Sequence, residues 1–141
     1  MSETCQVDFY ILARPTQSAG ELACRLAMKA WTQGHSVIVC AESIEQADRL
    51  DEMMWDCPPG RFLPHQRGEG EAPVGIVTQG DELTREGDLV INLTTAPMPD
   101  PTRFRRLLEI VPASPGQRDA SREKYRTYRE QGHSPETHKM G

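Results

Sequence analysis

Ser36-Val37-Ile38-Val39-Cys40-Ala41-Glu42-Ser43-Ile44-Glu45-Gln46 is the stretch on which the fold turns. Its first half is almost continuously apolar and β-branched, the pattern of a strand buried on both faces. Its second half, Ser43-Ile44-Glu45-Gln46, has the spacing of a capping box, which satisfies the free backbone N–H groups of a helix start. A doubly buried strand running into a helix is the repeating unit of a parallel sheet, because parallel neighbours need a crossover connection.

The same unit recurs on both sides. Upstream, Val7–Leu12 is a β-branched and aromatic run that predicts a strand, and Ala13–Gln17 is a loop. Ser18-Ala19-Gly20-Glu21 is a second capping box, and the helix it opens carries Leu22, Leu26, Met28 and Trp31 to Gly34, a residue suited to the left-handed position after a helix. Downstream, Ala47, Leu50, Met53 and Met54 continue a helical period that stops at Cys57-Pro58-Pro59-Gly60, which neither helix nor sheet accommodates. Ala72–Thr78 predicts a third strand, Gln79–Asp88 a polar connection, and Leu89–Thr94 a fourth strand. Asp100-Pro101 opens a short helix through Phe104, and Leu107–Val111 is a fifth strand ended by Pro112. Ser114-Pro115-Gly116-Gln117 caps a charged helix over Gln117–Arg129 that stops near Gly132. The expectation is a single three-layer α/β domain over residues 1–132, Rossmann-like, with a mostly parallel sheet of about five strands and helices on both faces. Ser36–Ala41 and Leu89–Thr94 belong at its centre. Residues 133–141 form a polar tail expected to fray.

Composition narrows the function. With 141 residues the chain is long enough for one proper core, and eleven Gly and eleven Pro in a chain only 37% hydrophobic imply many loops. No apolar run approaches the roughly 20 residues of a membrane helix, and Met1–Asp8 has neither the basic start nor the apolar segment of a secretory signal. The chain therefore reads as cytoplasmic. Cys5, Cys24, Cys40 and Cys57 are widely spaced with no Cys-x-x-Cys pair, so no metal and no disulfide framework is expected. A net charge of −5 argues against direct nucleic-acid binding through the whole surface.

An open parallel sheet invites a ligand at the carboxyl ends of its strands. The loop after the first strand, Ala13–Gly20, lacks the glycines that let backbone amides reach a pyrophosphate, so no nucleotide cofactor is expected. Ser18, Ser43 and Ser114 are explained as helix caps, and His35, His65, His133 and His138 have no metal-ligand spacing. His65, after Pro64, is the histidine that could sit at a strand's carboxyl end, and it reads rather as a loop histidine packed against Phe62. No catalytic residue stands out. An enzyme using the open crevice remains the second reading.

Two stretches suggest docking instead. Trp55 and Phe62, with Met53 and Met54 near them, flank the Pro-Pro-Gly break, and they read either as a cover over the core or as an interface anchor. In the last helix Arg118, Arg122 and Tyr125 share a face at spacings of four and three, which Arg129 continues. Arg126 adjoins that face and Lys124 is turned further round. Arginines with Tyr125 and Tyr128 among them suit capture of a carboxylate or phosphate beside an apolar group, although a charged helix is also compatible with a simple solvated face.

Leu50-Asp51-Glu52, Trp55, Phe62-Leu63-Pro64-His65, the strand ending at Val111-Pro112, and Ser121-Arg122-Glu123-Lys124-Tyr125-Arg126-Thr127-Tyr128-Arg129 together resemble the chi subunit of bacterial DNA polymerase III. Ala23-Cys24-Arg25-Leu26-Ala27, Trp31 and Gly34-His35-Ser36-Val37 extend the resemblance, which covers nearly the whole chain in order. It implies a non-catalytic accessory protein of the clamp-loader assembly that joins the psi subunit to the acidic-hydrophobic C-terminal tail of single-stranded DNA-binding protein (SSB). By resemblance, Trp55 and Phe62 lie at the psi side, which also receives a repair helicase. The tail-binding residues would be Val111, Arg118, Arg122, Tyr125 and Arg126, with Arg118 standing where the family form has lysine. The polar tail after Gly132 and the turn residues Pro115-Gly116 depart from the family pattern.

Overall fold

The computed structural model describes residues 5–56, 60–68, 70–78 and 87–140. In chain order the elements are β1 (Gln6–Leu12), α1 (Ala19–Thr32), β2 (Val37–Ala41), α2 (Ile44–Met53), β3 (His65–Arg67), β4 (Val74–Thr78), β5 (Gly87–Asn92), a 3-10 turn (Pro101–Arg103), β6 (Phe104–Val111), α3 (Pro115–Glu130) and β7 (Glu136–Met140). The strands form one sheet in the order β3-β4-β2-β5-β6-β1-β7. Every neighbouring pair is parallel. Cys57-Pro58-Pro59 and most of the expected 79–88 connection lie outside the described residues.

The capping signals act as the sequence suggests. The hydroxyls of Ser18, Ser43 and Ser114 accept from the backbone N–H groups of Glu21, Gln46 and Gln117 at 3.1, 3.1 and 3.4 Å. Gly34, just past α1, takes φ of +86°, which a side chain would resist. Asp100 differs from expectation. It makes no side-chain cap to the backbone, and the segment after it is only a 3-10 turn leading into β6, which starts at Phe104.

β2 is buried at all five positions, as its apolar run requires, and β5 lies at the centre of the sheet. Alternate residues feed two cores. Val37, Val39 and Ala41 pack with Ala23, Cys24, Ala27, Ala47 and Leu50 of α1 and α2, whereas Ile38, Cys40 and Val90 pack on the other face with Phe9, Leu107 and Tyr128. Among the described residues α3 is the helix that covers that second face. Cys5, Cys24 and Cys40 are buried, acting as small apolar side chains.

Two strands enlarge the expected five to seven, and both are edges. β3 is three residues long. β7 replaces the frayed tail expected after Gly132. Its only strongly apolar residue is Met140, so its own sequence carries little strand signal, and it is held by its neighbours. It pairs parallel with β1 from Asp8–Glu136 to Leu12–Met140. The Met140 carbonyl accepts from the Ala13 amide and from Gln17 Nε2, each at 3.1 Å. His138 Nε2 lies 2.9 Å from Asp8 Oδ1, and its ring stacks on Tyr10 at 4.9 Å.

Asp8 is the polar anchor of this edge. Its buried carboxylate also accepts from Arg106 Nε at 2.9 Å. Burial acts to raise its pKa, but the hydrogen bonds from His138 and Arg106 and the Arg106 charge outweigh it and hold the carboxyl below 3.8. A carboxyl whose pKa is depressed by folding stabilises the fold above its unfolded value and loses that contribution as pH falls through the folded one. Asp8 therefore supports β7 fully above about pH 4 and progressively less below it. Asp8→Asn should flatten the acid limb of the stability curve, measured as unfolding free energy by urea titration between neutral pH and about pH 2. An acid limb unchanged by the substitution would contradict this assignment.

Candidate docking sites

A buried polar cluster positions α3. Glu109 of β6 is 0% exposed and Lys124 of α3 only 2% exposed. Lys124 Nζ donates to Glu109 Oε1 at 2.8 Å and to the Thr94 carbonyl. Tyr128 Oη and Asn92 Nδ2 donate to Glu109 Oε2 at 2.6 and 2.9 Å, and Tyr128 Oη accepts from the Met98 amide at 2.8 Å. Burial pushes the Glu109 carboxyl above its usual range, against the Lys124 ammonium and the three donated hydrogen bonds. Burial, with the neighbouring Glu109, also pushes the Tyr128 hydroxyl up, so that it remains a donor. This cluster corrects one reading of the helix, the grouping of Tyr128 with the exposed arginines, and shows where Lys124, turned away from them, goes. Lys124 and Tyr128, four residues apart, are the buried residues of α3 and point into the sheet, so Tyr128 is no part of an exposed aromatic-arginine surface. The signal in the sequence was Glu109 itself, a carboxylate inside an apolar strand, which needs a buried donor.

With Lys124 and Tyr128 inward, the adjoining side of α3 overhangs a cavity of about 520 Å³. Its floor is Phe9, Ile11, Ala13 and Val111, and Arg118, Ser121, Arg122 and Tyr125 line it from the helix. Tyr125 leans on Phe9 with ring centroids 5.7 Å apart. Four of the five residues expected for a tail pocket, Val111, Arg118, Arg122 and Tyr125, thus meet in one concavity. Arg126 lies in an adjoining depression that shares Arg122 and Tyr125 with the first. Arg122 pairs with Asp119 at 2.9 Å and Arg126 with Glu123 at 3.3 Å, both on the exposed surface. Such solvated pairs are worth little and yield readily to a better partner. Thr137 and Lys139 of β7 complete the wall, and both were missed because their segment carried no strand pattern.

The second surface lies at the far edge of the sheet. Trp55 and Phe62 are 63% and 47% exposed, large fractions for a pair of aromatic side chains in contact. Their centroids are 4.9 Å apart, and His65 packs beneath both at 5.7 and 5.8 Å. His65 Nε2 is 2.7 Å from Asp51 Oδ1 and its Nδ1 is 2.6 Å from the Leu63 carbonyl. The Leu63 amide donates to the Met54 carbonyl at 2.9 Å, tying the strand-entry loop back onto the end of α2. Met54 and Leu63 are the residues that seal the core here, each 0% exposed, while the two aromatics stand outside them.

At the carboxyl end of β5, Asn92, Thr94 and Lys124 are buried and hydrogen-bond among themselves and to Glu109. No helix among the described residues is long and apolar enough to cross a membrane.

A sequence profile of the family described as DNA polymerase III chi subunit, HolC, matches residues 5–136. DNA polymerase III subunit chi of Pseudomonas aeruginosa is 38% identical over 139 residues, 96% of each chain. The Haemophilus influenzae subunit chi is 34% identical over 148 aligned positions spanning both chains fully. That of Escherichia coli is 33% identical over 133 residues, covering 88% of this chain and 90% of its own. Among solved structures, a chain from the complex of S. cerevisiae dbp5 with nup159, gle1, IP6 and ADP aligns with a TM-score of 0.68 over 96% of this chain and 42% of that one. At 9% identity this is a likeness of fold alone.

The buried cluster and the exposed aromatics carry opposite expectations for stability. Lys124→Ala strands a buried carboxylate and should lower the unfolding free energy by about 3 kcal/mol. Trp55→Ala and Phe62→Ala should each change it by less than about 1 kcal/mol. Urea denaturation of the three variants checks both, and a large loss at Phe62 would mark it as a cover over the core.

Proposed function

The chain belongs to the DNA polymerase III chi subunit family, which makes it a replication accessory protein, and we propose that it acts as a non-catalytic adaptor of the clamp-loader assembly, linking the psi subunit to the C-terminal tail of SSB. The observation that carries this reading is the cavity under α3, where an apolar floor and a row of guanidinium groups meet. A peptide ending in acidic residues and then an apolar residue with a free carboxylate needs both. Val111 and Tyr125 form the seat for the terminal side chain. Arg122 grips the terminal carboxylate, because a guanidinium can present two parallel donors where an ammonium acts as a point charge. Arg118 and Arg126 meet the acidic residues upstream. Arg122 exchanges its exposed Asp119 partner for the ligand, at small energetic expense.

Trp55 and Phe62 are the proposed anchor for psi, and the same face is where a repair helicase would compete. Exposed, mutually packed aromatics over a rigid support are what interface hot spots are made of. Their support here is His65, fixed by Asp51 and by the Leu63 carbonyl.

Titrating a fluorescent SSB-tail peptide by anisotropy tests the first site. Arg122→Ala should abolish measurable binding, and Arg126→Ala should weaken binding chiefly at low salt and flatten its loss with added salt, since its contact is solvated and screened. Binding of Arg122→Ala equal to the parent, or equal binding of a peptide without its terminal apolar residue, would contradict the pocket. For the second site, Phe62→Ala should lose psi in a pull-down while retaining the tail peptide, with a loss on the order of 2 kcal/mol or more.

A further inference from the structure

Beyond the five residues of the proposed pocket, β7 brings a sixth. β1 and β7 run parallel with Phe9 beside Thr137 and Ile11 beside Lys139. Strand alternation therefore puts Thr137 and Lys139 on the α3 side of the sheet, and His138 and Met140 on the opposite side. Tyr10 stacks on His138, and Met140 packs on the core beneath α1, in keeping with that alternation. On the α3 side, Val111, Ile11 and Lys139 form one row across β6, β1 and β7. Steps between strands of roughly 4.8 Å place the Lys139 backbone on the order of 10 Å from that of Val111. Side chains of the first two make the apolar floor, and the third ends the row with a cation.

We propose that Lys139 is a specificity-determining contact of the tail pocket, meeting an acidic side chain of the bound peptide from the side opposite α3. This rests on the pocket assignment made above. A peptide seated over Ile11 and Val111 lies between the guanidinium groups of α3 and the Lys139 ammonium. Of the cations lining this cavity, Arg122 has a carboxylate partner in the free protein, whereas Arg118 and Lys139 form no ion pair among the described residues. Lys139 is exposed, so its flexible stem is free to follow a ligand. Its backbone, in contrast, is held in place by the β1 ladder and by the two hydrogen bonds to the Met140 carbonyl. A lysine suits an acidic side chain whose position varies, and the terminal carboxylate is left to the planar fork of Arg122. The C-terminal strand is thereby part of the binding site and not merely an edge of the sheet.

The test uses the full chain, an acidic SSB-tail peptide with a free apolar C-terminus, and a second peptide whose acidic residues are replaced by amides. Lys139→Ala should weaken the acidic peptide about fivefold at low salt. Lys139→Glu should weaken it further, and neither substitution should move the melting temperature. With the amide peptide both losses should vanish, because residues in contact behave non-additively. Lys29→Glu makes the same change of net charge from an exposed position on α1, on the other side of the sheet, and should leave binding near that of the parent. Parent-like binding by Lys139→Glu overturns this contact and leaves the pocket standing. An equal loss with Lys29→Glu, or a Lys139→Ala loss that persists with the amide peptide, also overturns it. A parent chain that binds neither peptide overturns the pocket and this contact together.

Discussion

The buried Glu109–Lys124 pair is the constraint on which the rest depends. A carboxylate in the middle of β6 cannot stay dry and unpartnered, and the partner supplied is one side chain of α3, reinforced by Tyr128 a turn later. These two contacts fix the rotation of the helix about its own axis. Once Lys124 and Tyr128 face the sheet, 3.6-residue periodicity leaves Arg118, Arg122 and Tyr125 over the cavity and Arg126 just beyond it. A helix with so few apolar residues would otherwise have little to choose its orientation. Replacing such a pair with apolar side chains can leave stability unchanged, so its contribution here lies in specifying orientation as much as in energy.

The sheet then acts as a spacer. The aromatic pair stands beside β3 at one edge, and the cavity lies over β6, β1 and β7 at the other. Six inter-strand steps separate the two edge strands, roughly 29 Å at the usual spacing. Their supports also differ, with Trp55 following α2 and the arginines carried by α3 on the opposite face. Two partners could therefore dock without touching, and neither surface requires the other to be reshaped. That separation is what an adaptor needs from its fold.

Much of this was legible in the chain. The apolar Val37–Ala41 run, the three serine caps and the glycine after α1 are local signals, each with its own physical cause, and each has its counterpart in the structure. The spacing of Arg118, Arg122 and Tyr125 in α3 likewise placed three side chains at one cavity, whereas Arg129 falls in the adjoining depression. What could not be read locally was anything decided by a distant partner. Glu136-Thr137-His138-Lys139-Met140 becomes a strand because Asp8, Tyr10 and Ala13 hold it, across more than a hundred residues of sequence. Nothing local in the charged helix marks Lys124 as buried, and it is Glu109 on β6, with the Thr94 carbonyl, that turns it inward. β3 is too short to leave a periodic signature.

The central claim is that one chain holds two partners on independent faces. Isothermal titration of the SSB-tail peptide into the chain alone, and into the chain saturated with psi, addresses it most directly. Independent faces predict one peptide per chain with the same dissociation constant in both titrations. Loss of peptide binding in the presence of psi, or release of psi as peptide is added, would show a shared surface and contradict the account.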